Sequence, residues 1–233
     1  MNDAREDAEM AAAMGWSKFE AALSDNETLS GHEYLTALVE DTLLHTAEVT
    51  GSWAIYRARI MPHAPRRDWT EPLIHGLMTA PPAGAAAVAG RANYAGDPHF
   101  YGALDAETAV AEVRPWIGAR VTVARFEAGQ PLTLVNLAAT ISRLELGPLA
   151  VWAGFMFGLP MHRDDGKAYL GTQALAKRLR ECGADGVLYQ SAMRPTGVNA
   201  VLFKHRQLRC VSRQLHEVTD VAVTTTPLSR AEA

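Results

Sequence analysis

The stretch FYGALDAETAVAEV, residues 100–113, carries the pattern on which the fold prediction rests. Its first residues are aromatic or small and favour a short strand over residues 100–103. Asp105 then occupies an N-cap position, and the apolar residues after it recur at helical spacing, which predicts a helix over residues 106–113. Glu112 lies at the border of the apolar face of this helix. A carboxylate there is either a solvated helix edge or part of a site.

Short β-rich runs and a few helices are predicted on both sides of this unit. Residues 52–60, SWAIYRARI, alternate so that Arg57 and Arg59 share one face of a strand. The apolar run of residues 146–160 is punctuated by glycine and proline, and it predicts a buried hairpin or a mixture of turn and helix. The class is therefore α+β, with short mixed or antiparallel strands. Further strands are predicted over residues 120–126, 131–137, 185–191 and 199–204, and further helices over residues 171–182 and within 138–144.

The two ends of the chain have their own patterns. Residues 1 to about 48 are predicted to be helical, with Ser30 and Glu33 placed as a capping box before the second helix. The segment from residue 210 is predicted to add one strand and then a loose tail. We therefore divide the chain into a helical extension over residues 1–50, a central domain over 51–209, and a C-terminal strand with its tail over 210–233.

Composition excludes several classes of function. The chain has 233 residues and a net charge of −4, so we predict no direct nucleic-acid binding. The apolar runs are too short to span a membrane. The N-terminal residues lack the pattern of a signal peptide, and the two cysteines lack metal or disulfide spacing, which together predict a cytoplasmic protein. The sequence leaves self-association open, so a homo-oligomer is an alternative to a monomer.

Motifs for familiar chemistry are missing from the sequence. It has no glycine-rich phosphate loop, no nucleophile elbow and no zinc-protease motif. The eight histidines are scattered without ligand spacing, so no metal site is predicted. A set of polar residues at predicted element ends remains, and each of them alone is compatible with an ordinary structural role: Arg57, Arg91, Asn93, Tyr101, Glu112, Ser191 and Asn199.

Three motifs follow one another in a fixed order: IYRARI, then GRANYAGDPHFYGALDAETAVAEVRP, then AYLGTQALAKRLRECGADGVLYQSAMRPTGVNAVLF. With this ordered set, residues 53–203 resemble the RES domain. That family is named after characteristic arginine, glutamate and serine residues, and it is known as the toxin half of bacterial toxin–antitoxin pairs. The sequence departs from the family pattern at Ala92, where the family commonly has tryptophan.

The resemblance implies a fold similar to ADP-ribosyltransferase toxins of the diphtheria type, with NAD as the substrate and no metal. It implies cleavage of the nicotinamide–ribose bond, by a glycohydrolase or a phosphorylase that acts as a toxin. Transfer of ADP-ribose to a protein is the alternative activity, and a catalytically silent binding module is the alternative from another class. Besides NAD, the implied partner is an Xre-type helix-turn-helix antitoxin.

The family pattern also implies roles for single residues. Glu112, Tyr101, Arg57 and Ser191 are implied to be catalytic. A carboxylate can stabilise the positive charge that grows on a ribose, a tyrosine ring can stack on nicotinamide, and arginines suit a diphosphate. Arg57 is preferred to Arg59 by the family pattern alone. The residues implied to bind NAD are Arg57, Arg91, Asn93, Tyr101, Ser191 and Asn199.

Overall fold

The structure, a computed structural model, describes residues 2–24, 33–50, 53–61, 72–73, 75–79, 88–138, 145–160, 169–204 and 207–225. The helices in these ranges are α1 (Asn2–Ser24), α2 (Glu33–Leu43), α3 (His75–Met78), α4 (Ala106–Glu112), α5 (Pro148–Gly158) and α6 (Leu170–Glu181). The strands are β1 (Thr46–Val49), β2 (Ala54–Ile60), β3 (Phe100–Ala103), β4 (Arg120–Ala128), β5 (Leu132–Asn136), β6 (Gly186–Gln190), β7 (Val198–Leu202) and β8 (Leu208–Glu217).

The described strands form one mixed sheet in the order β1-β5-β6-β7-β3-β2-β4-β8. β5 and β6 are parallel, and the other neighbouring pairs are antiparallel. The connection from β5 to β6 contains α5 and α6, as parallel neighbours require a long crossover. The predicted α+β class, with mixed strands and N-terminal helices, is confirmed.

A group of four helices and the single helix α4 cover one face of the sheet. α1, α2, α5 and α6 pack together around a core that includes Trp16, Phe19 and Phe157. α4 packs separately over β2, β3 and β4. Tyr101 packs against the four-helix group, and Ala103 packs against α4. These residues are two positions apart on β3, so the four-helix group and α4 lie on the same face of the sheet. The site lies between them.

β2 and β3 are neighbours in the sheet, but a single residue pair, Tyr56 with Ala103, joins them. Gly102 lies next to this pair. A Cβ atom at Gly102 would lie 2.6 Å from the backbone oxygen of Tyr56, so only glycine lets β3 approach β2 this closely. The remaining residues of the two strands are unpaired with each other, which opens the sheet beside Arg57.

The elements predicted around the quoted stretch are confirmed, since β3 and α4 begin at the predicted residues and the predicted later strands and the helix α6 are present. The predicted C-terminal strand is also confirmed, as β8, which begins two residues earlier than expected. Residues 218–225 contain no helix or strand. Ser30 of the predicted capping box and the last eight residues lie outside the described ranges, as does the segment 138–144, within which a helix is predicted, apart from Ala138.

Two expectations are wrong. The helical prediction up to about residue 48 fails at its end, because α2 ends at Leu43 and β1 follows, paired with β5. Thr46 and Val49, at the ends of β1, are β-branched and suit a strand. The alternative of a hairpin over residues 146–160 fails as well, because α5 forms there with a proline in its first turn.

Candidate functional site

A pocket of about 530 Å³ lies between α4 and the α5–α6 group, a volume in the range of small-molecule sites. Strands β3, β6 and β7 form its floor, and β2, α4, residues 88–91 and Tyr169, which precedes α6, form its sides. Asn93 and Ser191 do not line the pocket, but they form hydrogen bonds to residues that do. The predicted site residues that line it are Arg57, Arg91, Tyr101, Glu112 and Asn199.

Glu112 presents its carboxylate to the pocket from the last residue of α4. Its Oε1 accepts hydrogen bonds from Ser191 Oγ and from Asn199 Nδ2, each at 2.7 Å. Its Oε2 accepts none from the described residues. One oxygen therefore fixes the orientation of the carboxylate, and the other is open to a ligand.

The helix that carries Glu112 is fixed at its start by Asp105. Asp105 Oδ1 accepts from the backbone N–H of Thr108, and Oδ2 accepts from Thr108 Oγ1, both at 2.7 Å. The predicted N-cap is thereby confirmed. Only two residues separate β3 from α4, so the position of Glu112 relative to Tyr101 on β3 is set by local structure.

Ser191 begins the loop after β6, and backbone N–H groups of that loop hold its hydroxyl in place. Its Oγ accepts from the backbone N–H groups of Met193 at 3.1 Å and Arg194 at 3.2 Å, and donates to Glu112. The guanidinium of Arg194 forms an ion pair with Glu107 in the first turn of α4. The loop is therefore attached to both ends of the helix whose carboxylate it orients.

Tyr101 has its ring in the pocket and its hydroxyl bound to the neighbouring loop. The hydroxyl donates to Asn93 Oδ1 at 2.7 Å and accepts from the backbone N–H of Ala92 at 3.0 Å. A Cβ at Gly90 would lie 2.7 Å from both side-chain oxygens, so the loop packs this closely only with glycine there. Burial raises the pKa of Tyr101, which keeps the phenol neutral. Asn93 uses its Nδ2 for two backbone carbonyls of the same loop, so it organises the loop.

Arg57 lines the pocket from β2, whereas Arg59 does not. Its Nη1 donates to the backbone oxygen of Tyr101 at 3.3 Å, and its guanidinium lies 5.0 Å from the centre of the Phe100 ring. Burial, and then the charge of Arg59, lower the pKa of Arg57 to about 10, so it is protonated at neutral pH. No carboxylate among the described residues pairs with it. A buried cation without a counter-ion is suited to an anionic ligand.

Arg91 attaches the loop of residues 88–91 to the end of α5. Its Nη1 donates to the backbone oxygen of Phe157 at 2.9 Å and to that of Leu159. A cation is favourable there, because the last carbonyls of a helix lack partners within the helix and carry partial negative charge. The guanidinium also lies 5.6 Å from the centre of the Tyr169 ring, which lines the same pocket.

Three tyrosines that were not predicted as site residues also line the pocket: Tyr56, Tyr169 and Tyr189. Tyr189 pairs directly with Asn199 across β6 and β7. Pairing the two predicted strands over residues 185–191 and 199–204 as a hairpin would have identified Tyr189 as a neighbour of Asn199. Tyr56 precedes Arg57, and strand alternation places the two on opposite faces, so the pattern gives no signal for it. Nothing in the sequence singles out Tyr169.

Two further features are absent from the part of the chain that the structure describes. Among the described residues, no three or more histidine, cysteine, aspartate or glutamate side chains are grouped so that they could hold a metal ion. None of the helices in the described ranges has the length and apolar character that crossing a membrane requires.

Three comparisons relate the chain to known proteins. Among solved structures, it is similar to a chain of the "Crystal structure of the M.tuberculosis MbcT-MbcA toxin-antitoxin complex", with a TM-score of 0.46 and 22% sequence identity, over 78% of this chain and 92% of that chain. No curated protein matches significantly. The RES domain profile matches residues 54–225, which is most of the sequence. The chain therefore belongs to the RES domain family.

Proposed function

We propose that this chain is an NAD-consuming enzyme that breaks the bond between nicotinamide and ribose. The observation that carries the proposal is the carboxylate of Glu112, which lies in a pocket with one oxygen held by Ser191 and Asn199 and the other free of described partners. Membership of the RES domain family supports it, because the resemblance to that family implies chemistry on NAD. The acceptor is water in a glycohydrolase or phosphate in a phosphorylase.

In the proposed reaction, the bond between C1′ of the ribose and the ring nitrogen of nicotinamide breaks. The electron pair of that bond goes to the ring nitrogen and removes its positive charge, while the ribose takes on the character of an oxocarbenium ion. The Glu112 carboxylate stabilises this positive charge, and its Oε2 accepts a hydrogen bond from the 2′-hydroxyl. An oxygen of water or phosphate then bonds to C1′, and an attacking water gives its proton to Glu112.

The other residues are proposed to bind and orient the substrate. Arg57, which lacks a described carboxylate partner, binds the diphosphate, and Arg91 adds positive charge from the other side of the pocket. The ring of Tyr101 stacks on the cationic nicotinamide. Asn93 contributes indirectly, by holding the hydroxyl of Tyr101 and the loop beside it. Ser191 and Asn199 orient the carboxylate of Glu112.

The test of this function is incubation of the purified protein with NAD, with and without phosphate, while nicotinamide, ADP-ribose and a phosphorylated product are followed by chromatography. Glu112→Gln should lower the rate by about 10²–10³-fold, because the amide cannot stabilise the developing positive charge. The matched control is Glu107→Gln on the same helix. Glu107 is mostly exposed and lies outside the pocket, and glutamine keeps an oxygen that can accept from Arg194, so this replacement should leave the rate nearly unchanged.

The outcomes separate the candidate activities. Untouched NAD, or a Glu112→Gln variant with the full rate, contradicts the proposed chemistry and favours a silent binding module. Label from NAD that appears on protein, instead of in small products, favours an ADP-ribosyltransferase. A product that forms only with phosphate identifies the phosphorylase.

We also propose that the enzyme is the toxin of a toxin–antitoxin pair and that an Xre-type helix-turn-helix protein is its partner. Loss of cellular NAD is then the toxic effect. Expression of the wild type should deplete NAD and slow growth, and expression of Glu112→Gln should do neither. Equal growth of the two strains contradicts the proposal. Co-expression of a small helix-turn-helix protein encoded beside this gene should restore growth if that protein is the antitoxin.

A further inference from the structure

The ring of Tyr189 on β6 is buried, but its side chain reaches the pocket. It is 4% exposed, and its ring lies 5.5 Å from that of Phe157 within the core shared by α5 and α6. It is nevertheless among the residues that line the pocket. Because the ring is enclosed by the core, the side chain has no room to turn elsewhere, and its position relative to the pocket is fixed.

The hydroxyl of Tyr189 has no hydrogen-bond partner among the described residues. It is also not among the side-chain atoms that are sealed from solvent without a partner, so the pocket is the space into which it opens. Two other tyrosines of the pocket differ in this respect. The hydroxyl of Tyr101 bonds to Asn93, and that of Tyr56 bonds to Arg125.

The surroundings keep this hydroxyl protonated. Burial raises the pKa of Tyr189, the positive charge of Arg91 lowers it, and the negative charge of Glu112 raises it again, with burial the largest of these effects. At neutral pH the side chain is therefore a neutral phenol, which donates one hydrogen bond. A donor that lies nearly buried and unpaired in the wall of a pocket is suited to an acceptor on the ligand.

Asn199 lies beside this donor but does not share its access to the pocket. Asn199 pairs directly with Tyr189 across β6 and β7, which places the two side chains on one face with their Cβ atoms about 4.5–5.5 Å apart. Its Nδ2 donates to Glu112. Its Oδ1 has no partner among the described residues, but this oxygen is sealed from solvent and is therefore not open to a ligand in the pocket. The floor of the pocket thus offers the hydroxyl of Tyr189 as its neutral donor.

We propose that Tyr189 is a specificity-determining residue whose hydroxyl donates to the carbonyl oxygen of a carboxamide on a flat aromatic ring. The carbonyl oxygen of a carboxamide accepts hydrogen bonds and is complementary to this donor. The rings of Tyr101 and Tyr169 in the same pocket suit the faces of an aromatic ring. The inference rests on the proposed function, because the carboxamide is the one that nicotinamide carries in NAD.

Three substrates test the proposal: NAD, its 3-acetylpyridine analogue, which keeps the carbonyl and lacks the amide nitrogen, and its pyridine analogue, which lacks both. Tyr189→Phe should lower kcat/KM for the first two by about 10- to 100-fold, because a hydrogen bond to the carbonyl is lost. For the pyridine analogue the same variant should stay within about threefold of the wild type, since no carbonyl is present to lose its partner.

Tyr56→Phe is the matched control, because it removes the hydroxyl of another pocket tyrosine that is already bonded to Arg125. It should affect the three substrates alike. If Tyr189→Phe also affects all three alike, or affects none, the proposed contact does not exist. If Tyr189→Phe does not fold, as judged by thermal denaturation, binding to the wild type decides: free nicotinamide that binds no more tightly than free pyridine overturns the proposal, and tighter binding of nicotinamide supports it.

Binding of free nicotinamide and free pyridine, measured by calorimetry, separates this inference from the proposed function. A wild type that leaves NAD intact but binds nicotinamide through the hydroxyl of Tyr189 overturns the enzymatic function and supports the carboxamide contact. A wild type that consumes NAD but binds nicotinamide no better than pyridine keeps the function and overturns the contact. Binding of neither base overturns the contact as well.

Discussion

Replacing Arg57 with methionine is expected to remove ligand binding and to stabilise the fold at the same time. The guanidinium is buried beside Arg59, and burial together with that second charge lowers the pKa of Arg57 to about 10. Compared with the ordinary pKa of arginine, this lowering means that the charged form costs about 3 kcal/mol in the folded state. Methionine packs against the same neighbours without a charge.

Part of this gain is offset by contacts that methionine cannot make. The hydrogen bond to the Tyr101 carbonyl contributes about 1 kcal/mol, and the contact with the Phe100 ring contributes about another 1 kcal/mol. A net stabilisation of about 1 kcal/mol remains, which raises Tm by about 2–4 °C in a chain of this length. Because folding lowers the pKa of this base, the wild type gains stability only as pH rises through about 10. The difference in stability between Arg57→Met and the wild type should therefore be constant between about pH 6 and 8.

Urea denaturation measures the stability of the variant, and calorimetry with ADP-ribose measures its binding. Arg57→Met should weaken ADP-ribose binding about tenfold or more, because a charge-assisted contact with the diphosphate is lost. The control is Arg209→Met: Arg209 lies on β8, is mostly exposed, and has its Nη2 2.9 Å from Glu127. That change should leave ADP-ribose binding unchanged and should not stabilise the fold. A variant of Arg57 that is less stable than the wild type, or that binds ADP-ribose equally well, refutes the reasoning.

Two further substitutions test single contacts. Ser191→Ala should lower kcat about tenfold and leave KM within about twofold, because one of the two donors that orient Glu112 is lost; steady-state kinetics separates the two constants, and an unchanged kcat contradicts the orienting role. Asp41→Ala should lower the free energy of unfolding by about 1 kcal/mol. Asp41 Oδ2 accepts from the backbone N–H of Ala150 at 2.8 Å and so caps α5, because the N-cap residue Gly147 has no side chain that could do so. Asp41→Asn keeps an acceptor and should retain most of the Tm; equal losses for both variants contradict capping.

The parts of the fold that the sequence predicted well are those with local signals. β3 and α4 follow from the N-cap at Asp105 and from helical spacing, which depend on neighbouring residues only. β1 was missed because Thr46–Val49 becomes a strand through pairing with β5, far away in the sequence. α5 gave no clear signal because it is apolar on all sides and therefore shows no helical periodicity.

The prediction of the candidate site from the sequence depended on the order of three motifs more than on any single residue. Strand alternation places Arg57 and Arg59 on the same face and does not distinguish them. They differ in the tertiary structure: Arg57 follows Tyr56, the residue that joins β2 to β3, and so borders the opening between the two strands. No local pattern contains this information, because it depends on where two distant strands cease to pair.

Tyr189 shows a second limit of prediction from sequence. A tyrosine within an apolar strand is typical of a protein core, and its burial agrees with that interpretation. What makes Tyr189 a candidate is the absence of a described partner for its hydroxyl, whereas the hydroxyls of Tyr101 and Tyr56 are bonded. Whether a hydroxyl is satisfied is a property of the assembled pocket, and the sequence does not contain it in a local form.

The site joins one locally fixed unit to residues that the sheet brings from elsewhere. Tyr101 and Glu112 belong to a strand and a helix separated by two residues, so their relative position survives small changes in the sheet. Asn199 pairs with Ala103 on one side and Tyr189 on the other, which makes it the point where strand pairing reaches the carboxylate. A shift of β7 by one residue would turn Asn199 to the opposite face and leave Glu112 with one donor. β7 is buried along its whole length, and Val198, Ala200 and Leu202 pack into an apolar core on its other face. The same shift would therefore bury the Asn199 amide in that core without partners, so the register that the site needs is also the one that the core stabilises.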